Sequence, residues 1–294
     1  MALPNFLCVG AQKAGTTTLY EVLKQHPDIF LPSIKEPHFF DEHFQKGLDW
    51  YEKTYFDAVK NEKAVGEITP AYLYIDSVPQ RIFESLGPDV KLIFIFRNPA
   101  ERAYSHYLMS KFNGYEKATF EEVMGENKTG NPASNATTTN KRFSYKERGY
   151  YGQQLKAYLD LFSKENMLFI LFEDLVSHDK KATYERVLNF LEVDKYDLNF
   201  NIKSNTAKKV RNPILQKILM SSPWLSAIGK KLFPNAQTRR FVRKKIKKTN
   251  QRSYRNQSNK LSSELRKLLI EEYYKEDVKL LENLIDKDLR HWYS

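Results

Sequence analysis

The stretch from Phe6 to Tyr20, FLCVGAQKAGTTTLY, constrains this 294-residue chain more than any other. Its apolar start, Phe6-Leu7-Cys8-Val9, predicts a short buried strand. Gly10 to Gly15 reads as a turn. Thr16 to Lys24 reads as a helix whose apolar side is Leu19, Val22 and Leu23. Strand, glycine-bearing loop and helix N-terminus, in that order, make an anion site, because loop N–H groups and the helix dipole converge on one point.

The spacing is similar to the P-loop pattern G-x-x-x-x-G-K-[ST]. Gly10 and Gly15 are in place, and Thr17 stands where Ser or Thr belongs. It departs in one respect: Thr16 follows Gly15, and the lysine, Lys13, lies inside the loop. The threonine hydroxyls suit an anion more than a metal, and no Asp follows a clear apolar strand to serve as a second metal ligand. The same residues also fit an ordinary strand–turn–helix at the start of an α/β domain.

The chain is 41% hydrophobic and 14% aromatic, enough for a sizeable core. Its single cysteine, Cys8, excludes disulfides and predicts a reducing, cytoplasmic setting. The first strand begins so early that no signal peptide is expected, and the longest apolar runs are far too short to span a membrane. The net charge of +11 is unevenly spread. Sixteen Lys or Arg and no acid lie between Lys203 and Arg255, which leaves the remainder of the chain net acidic. Within that segment, apolar residues recur at near-helical spacing from Pro213 to Phe233, and basic residues crowd Gln237 to Lys248. The segment 203–255 is therefore expected to be a basic helical region. It would lie on an anionic membrane surface, grip an acidic chain, or simply face water. No nucleic-acid module accompanies the charge, so nucleic acid is not expected as a partner.

Further strands are expected at Ala64–Ile68, Lys91–Arg97 and Met167–Phe172. Helices are expected near 79–86, after Asn98-Pro99 to about Lys111, and over 150–162, 180–191 and 261–285, with a shorter one capped by Asp49. Pro32 and Pro37 predict an extended loop. From 112 to 149 the pattern fades, and the polar run Glu126–Lys141 predicts a mobile loop able to gate an acceptor. Strands separated by helices mean an α/β chain: a P-loop-like three-layer fold with a central, mainly parallel sheet flanked by helices and a helical C-terminal part.

An ordered series of motifs carries a family resemblance. GAQKAGTTTLY at 10–20, HPDI at 26–29, KEPHFFDEH at 35–43 and GLDWY at 47–51 are followed by GEITPAYLY at 66–74, RNPAERAYSHY at 97–107 and RGYYGQQLKAYLDLF at 148–162. The chain resembles the sulfotransferases that use 3′-phosphoadenosine 5′-phosphosulfate (PAPS), especially the carbohydrate branch typified by heparan sulfate sulfotransferases and its bacterial relatives. EDVKLLENLIDKDLRHW at 276–292 is similar to that family's last helix. The resemblance implies one sulfotransferase domain over 1–294 and a metal-free transfer of a sulfuryl group to a hydroxyl or amine of a carbohydrate, glycolipid or related acceptor.

It also implies a two-part cofactor site. Gln12, Lys13, Ala14, Gly15, Thr16, Thr17 and Thr18 would hold the 5′-phosphosulfate, and Arg97 with Ser105 the 3′-phosphate. Lys13 would meet charge on the leaving oxygen. Glu36 matches the family's base, with His38, as a neutral imidazole, the second candidate. Two features depart from the pattern: Ile68 stands where the heparan sulfate enzymes have a lysine, and no basic-glycine loop covers the adenosine phosphates, although Arg252, Tyr254 and Arg255 lie near the right place. Two readings of other classes compete, an ordinary P-loop kinase or NTPase and a non-catalytic polyanion-binding protein.

Overall fold

The structure, a computed structural model, describes residues 2–125, 143–177, 180–200, 208–210, 251–253 and 260–294. They fall into two compact units, Met1–Ala103 with Lys128–Ser204 and Leu261–Ser294, and Tyr104–Asn127 with Asn205–Lys260.

The first unit is built on five parallel strands: β1 (Phe6–Gly10), β2 (Ile29–Phe30), β3 (Ala64–Ile68), β4 (Lys91–Phe96) and β5 (Met167–Leu171). Every residue of β1 and β3 is buried. Successive strand side chains point to opposite faces, so burial of all of them means that helices cover both faces. The helices of this unit are α1 (Thr16–Leu23), α2 (Leu48–Tyr55), α3 (Val78–Leu86), the start of α4 (Pro99–Phe112), α6 (Tyr151–Leu159), α7 (Phe172–Val176) and α8 (Lys180–Phe190); α5 (Phe120–Gly125) belongs to the second unit. The strand order β2-β3-β1-β4-β5 places β1 between strands reached in opposite directions. A crevice opens at such a switch point, outside the carboxyl ends of the strands, and the loop after β1 and the residues after β4 border it.

The C-terminal part is α9 (Ser263–Leu269), a π-helical turn Ile270–Tyr274 and α10 (Lys275–Ile285). The single long helix expected over 261–285 is thus interrupted. The buried carboxylate of Asp277 on α10 accepts the N–H groups of Gly152 and Gln153, at 2.9 and 3.0 Å, and so caps α6. A side chain at residue 152 would put its Cβ 2.9 Å from the Asp277 carbonyl oxygen, which explains the glycine in RGYYGQQL. Farther on, Trp292 is buried. Its indole N–H donates to Glu173 Oε1 at 3.1 Å, and its carbonyl accepts Asn98 Nδ2 at 3.1 Å.

In the second unit, Tyr104 and Tyr107 pack their rings against Phe120 of α5, at 4.9 and 5.3 Å. The described part of the basic region is a two-stranded antiparallel pair, β6 (Lys208–Val210) with β7 (Gln251–Ser253).

Three expectations change. Stretch 112–149 is not structureless at its ends: α5 buries Phe120 and Met124, and Ser144 and Tyr145 are buried by their contacts with the sheet unit. Its middle, including all of Glu126–Lys141, lies outside the described residues. In the basic region the six described residues, Lys208–Val210 and Gln251–Ser253, pair as strands, while the stretches 213–233 and 237–248 that carried the helical expectation lie outside the described residues. The remaining residues of 203–255, with Tyr254 and Arg255, lie outside the described residues. Finally, Gly47 and not Asp49 precedes α2 as its cap, with Asp49 in the first turn. No helix of the described residues is long and apolar enough to cross a membrane.

Candidate functional site

Backbone bonds shape the loop after β1. Ala11 N–H donates to Ile95 O at 2.7 Å, and Ala14 N–H to Ala11 O at 3.2 Å. Gly15, with φ 94°, caps α1, and no side chain caps that helix end. The N–H groups of Thr16 and Thr17 in its first turn therefore remain available to an anion. Gln12 Oε1 is buried with no hydrogen-bond partner among the described residues. Lys13 sits on left-handed backbone, φ 74°. Ala14 is fully buried, and Thr18 N–H turns back to Gly15 O at 2.9 Å. Cys8 in the strand below is inert: burial pushes its thiol up to about 12.

Arg97 follows β4 and reaches this loop. Its Nη1 donates to the Lys13 carbonyl at 3.3 Å, while Nε and Nη2 donate to Glu101 Oε2 at 3.3 and 2.9 Å. The guanidinium lies over the Phe172 ring, 4.5 Å from its centroid. Asn98 Oδ1 caps α4 by accepting the N–H groups of Ala100 and Glu101, at 3.1 and 3.2 Å. Ser105 lies farther along α4, among residues of the second unit.

The KEPHFF segment is the other half of the site. Glu36 and His38 both have positive φ, 62° and 55°. Together with Lys13 they make three of the five such non-glycine residues described, so backbone strain concentrates where the chemistry was expected. Lys35 Nζ donates to Glu36 Oε1 at 2.6 Å, and His38 Nε2 faces Glu36 Oε2 at 3.7 Å. The other imidazole nitrogen, Nδ1, donates to Asp41 Oδ2 at 3.0 Å. Asp41 belongs to a π-helical turn, Phe39–His43. His38, Asp41 and Glu42 bring potential metal-ligating atoms within 4.8 Å of one another, but the imidazole and Asp41 already bond each other.

Electrostatics sort the roles. Burial works against the charge of His38, yet hydrogen bonds to Asp41 and Glu36 outweigh it and raise the imidazole to about 10. Burial likewise favours neutral Glu36, but His38 and Lys35 hold its carboxyl at about 2. His38 is therefore an imidazolium at neutral pH and not the neutral base expected; two carboxylates flank it. Burial, then the charge of Arg97, lowers Lys13 to about 8, with Glu36 pulling the other way and Arg102 and Lys35 adding to the repulsion.

The structure thus brings Lys13, Glu36 and Arg97 into one electrostatic neighbourhood. Sequence reading missed Asp41, although it stands three residues after His38. It also missed Arg102, which is fully buried and donates through Nη2 to the Tyr145 carbonyl. The donor set fits an anionic phosphosulfate: a helix end without a side-chain cap, a lysine crowded by other cations, and Arg97.

A model of the sulfotransferase domain matches residues 3–280. The chain belongs to the sulfotransferase family. Among its relatives, human heparan sulfate glucosamine 3-O-sulfotransferase 3B1 is 33% identical over 189 residues, covering 64% of this chain and 46% of that protein. Human heparan sulfate glucosamine 3-O-sulfotransferase 6 is 35% identical over 193 residues, with 64% and 52% covered. The chain thus spans about half the length of these curated relatives. The crystal structure of a sulfotransferase from Alicyclobacillus acidocaldarius aligns over 100% of both chains, with a TM-score of 0.69 and 26% identity. Membership in this family displaces the kinase reading, and the P-loop-like α/β sheet is the fold that this chain shares with its structural relative.

Proposed function

We propose that this sulfotransferase transfers a sulfuryl group from PAPS to a hydroxyl of a carbohydrate, in particular an acidic, glucosamine-bearing glycan. The observation that carries the reading is the meeting of a cation-crowded Lys13 with Glu36, the carboxylate next to it in charge reach, on two strained backbone segments. The names of the 3-O-sulfotransferase relatives support a glucosamine hydroxyl. Sixteen basic residues without an acid between Lys203 and Arg255 support an acidic acceptor.

PAPS, when bound, supplies a sulfuryl group for in-line displacement by the acceptor oxygen. The chain's own residues then do positioning and charge work. Thr16 and Thr17 N–H groups and Lys13 receive negative charge at the loop. With its proton loosely held near pH 8, Lys13 is suited to give charge or a proton to a developing oxyanion. Arg97 braces the loop through the Lys13 carbonyl and offers the rest of its guanidinium to a phosphate in place of Glu101. Glu36 takes the acceptor's proton. At about 2 it is a weak base while Lys35 and His38 both bind it, so its basicity rises only when Lys35 turns to another anion. His38, pinned by Asp41, keeps the carboxylate aimed.

Adenosine 3′,5′-bisphosphate should raise the melting temperature well above the effect of ADP. Mass spectrometry of heparan-type oligosaccharides incubated with enzyme and PAPS should find singly sulfated products. Equal stabilisation by the two nucleotides, with no sulfated glycan, defeats the proposal.

A further inference from the structure

Glu67, in β3, is completely buried and belongs to none of the loops described above. Three hydroxyls donate to its carboxylate. Tyr51 and Tyr72 both reach Oε1, at 2.6 and 2.8 Å, and Thr69 reaches Oε2 at 2.7 Å. When Glu67 is ionised its carboxylate only accepts, so each hydroxyl then points its proton inward and keeps its lone pairs for another donor.

Tyr72 uses that freedom. Its oxygen accepts the backbone N–H of Phe40 at 3.3 Å. The ring of Tyr51 lies flat on Phe39, with centroids 4.1 Å apart and planes 8° apart. Phe40 meets the rings of Tyr51 and Tyr72 edge-on, at 5.7 and 5.6 Å. From the far side, Arg81 Nη1 holds the Phe40 carbonyl at 2.7 Å. Phe39 and Phe40 open the π-helical turn that carries Asp41, and Asp41 holds His38.

We infer that Glu67 is a positioning residue for the Glu36–His38 pair: it orients Tyr51 and Tyr72, these fix Phe39 and Phe40, and the turn so fixed holds Asp41 against His38. Only the role of Glu36 in this statement rests on the sulfotransferase reading above. An apolar residue at position 67 would leave three buried hydroxyls without an acceptor and the turn without its anchor. Burial raises Glu67 to about 7, against the hydroxyls of Tyr51 from α2 and of Thr69 and Tyr72 beyond its own strand and the charge of His38, which all favour the carboxylate.

The test is the titration of His38, followed by NMR of histidine-labelled protein in the wild type, Glu67→Gln and Tyr72→Phe. Wild-type His38 should keep its proton to about pH 10. In both variants the midpoint should fall by about one pH unit or more toward that of a free imidazole, a tenfold or greater change in proton affinity. Stabilisation by adenosine 3′,5′-bisphosphate should persist in both, because the Lys13 loop is untouched. If Glu67→Gln fails to fold, Tyr72→Phe, which keeps the ring and removes the hydroxyl that joins Glu67 to the Phe40 N–H, decides the matter. An unchanged His38 midpoint in the folded variants overturns the positioning role. A wild-type protein that ignores the bisphosphate would overturn the sulfotransferase reading instead, and the His38 midpoints would still decide the role of Glu67.

Discussion

The Lys13 loop and the Glu36–His38 segment use the same backbone device and end in opposite electrical states. Both hold charged side chains on left-handed backbone, with φ of 74°, 62° and 55° at Lys13, Glu36 and His38. In the loop, cations crowd cations: Arg97, Arg102 and Lys35 all work against the charge on Lys13. In the segment, charges alternate: Lys35 meets Glu36, Glu36 meets His38, and His38 meets Asp41. The loop is short of negative charge and gains most when an anion arrives. The segment is already complete and must lose a contact before it can act. Binding and proton removal are thus assigned to regions that respond to opposite changes.

The largest effect expected on this contrast is kinetic. Glu36→Gln should lower turnover roughly 10²–10⁴-fold, the usual size of a general-base contribution, while the melting response to adenosine 3′,5′-bisphosphate stays. Near-normal turnover would leave the alternating segment without a catalytic purpose.

Next comes a control outside both regions. Asp277→Ala removes the acceptor of two N–H groups at the start of α6, and should cost about 2 kcal/mol in urea unfolding. It should leave the nucleotide response intact. A lost response would mean that the loop depends on this distant cap, and the two regions could not be treated as separate.

A smaller effect, of opposite sign, is expected at Lys13. Its folded value of about 8 lies below the ordinary 10.5, so the unfolded state binds more protons between these pH values and stability rises with pH there. Lys13→Met should therefore melt higher than the wild type at neutral pH, by about 1–2 kcal/mol. That advantage should shrink as pH climbs from 8 to 10.5. The variant should also lose most of the nucleotide response. His38 behaves in reverse: its contribution is complete below 6.5 and disappears as pH rises through about 10. Glu36 contributes above 4.5 and loses that contribution as pH falls toward about 2. A Lys13→Met protein that is less stable than wild type at every pH would show that the loop's cations are already compensated.

Much of this arrangement was legible in the sequence because it is local. The runs Phe6–Val9 and Leu92–Phe96 are apolar throughout, as strands covered on both faces must be, and they are strands. Asn98-Pro99 announced α4, and the asparagine caps it. Glu36 and His38 were recognisable from KEPHFF. What stayed hidden depends on partners distant in the chain or on the balance of burial against charge. Tyr51 is sixteen residues from the carboxylate it serves, and nothing in GLDWY shows that its hydroxyl is spoken for. The protonated state of His38 is decided by Asp41 and Glu36 converging on one ring, an outcome of the left-handed turns that no periodicity shows. The break at Ile270–Tyr274 left the apolar stripe of the C-terminal helices intact, so the stripe read as one helix.

The bond between Asn98 and Trp292 joins residues 194 positions apart. A ribosome adding about 5–20 residues per second needs roughly 10–40 s to travel that distance. For that interval the residue that starts α4 lacks one of its partners; Glu173 waits 119 residues for its indole, and Gly152 of α6 waits 125 for Asp277. The nascent sheet can form early from its parallel strands, but these helix ends close only after Asp277 and Trp292 have emerged. Newly made chains should therefore stay open to proteases and chaperones until Trp292 has emerged, and acquire nucleotide binding only after it.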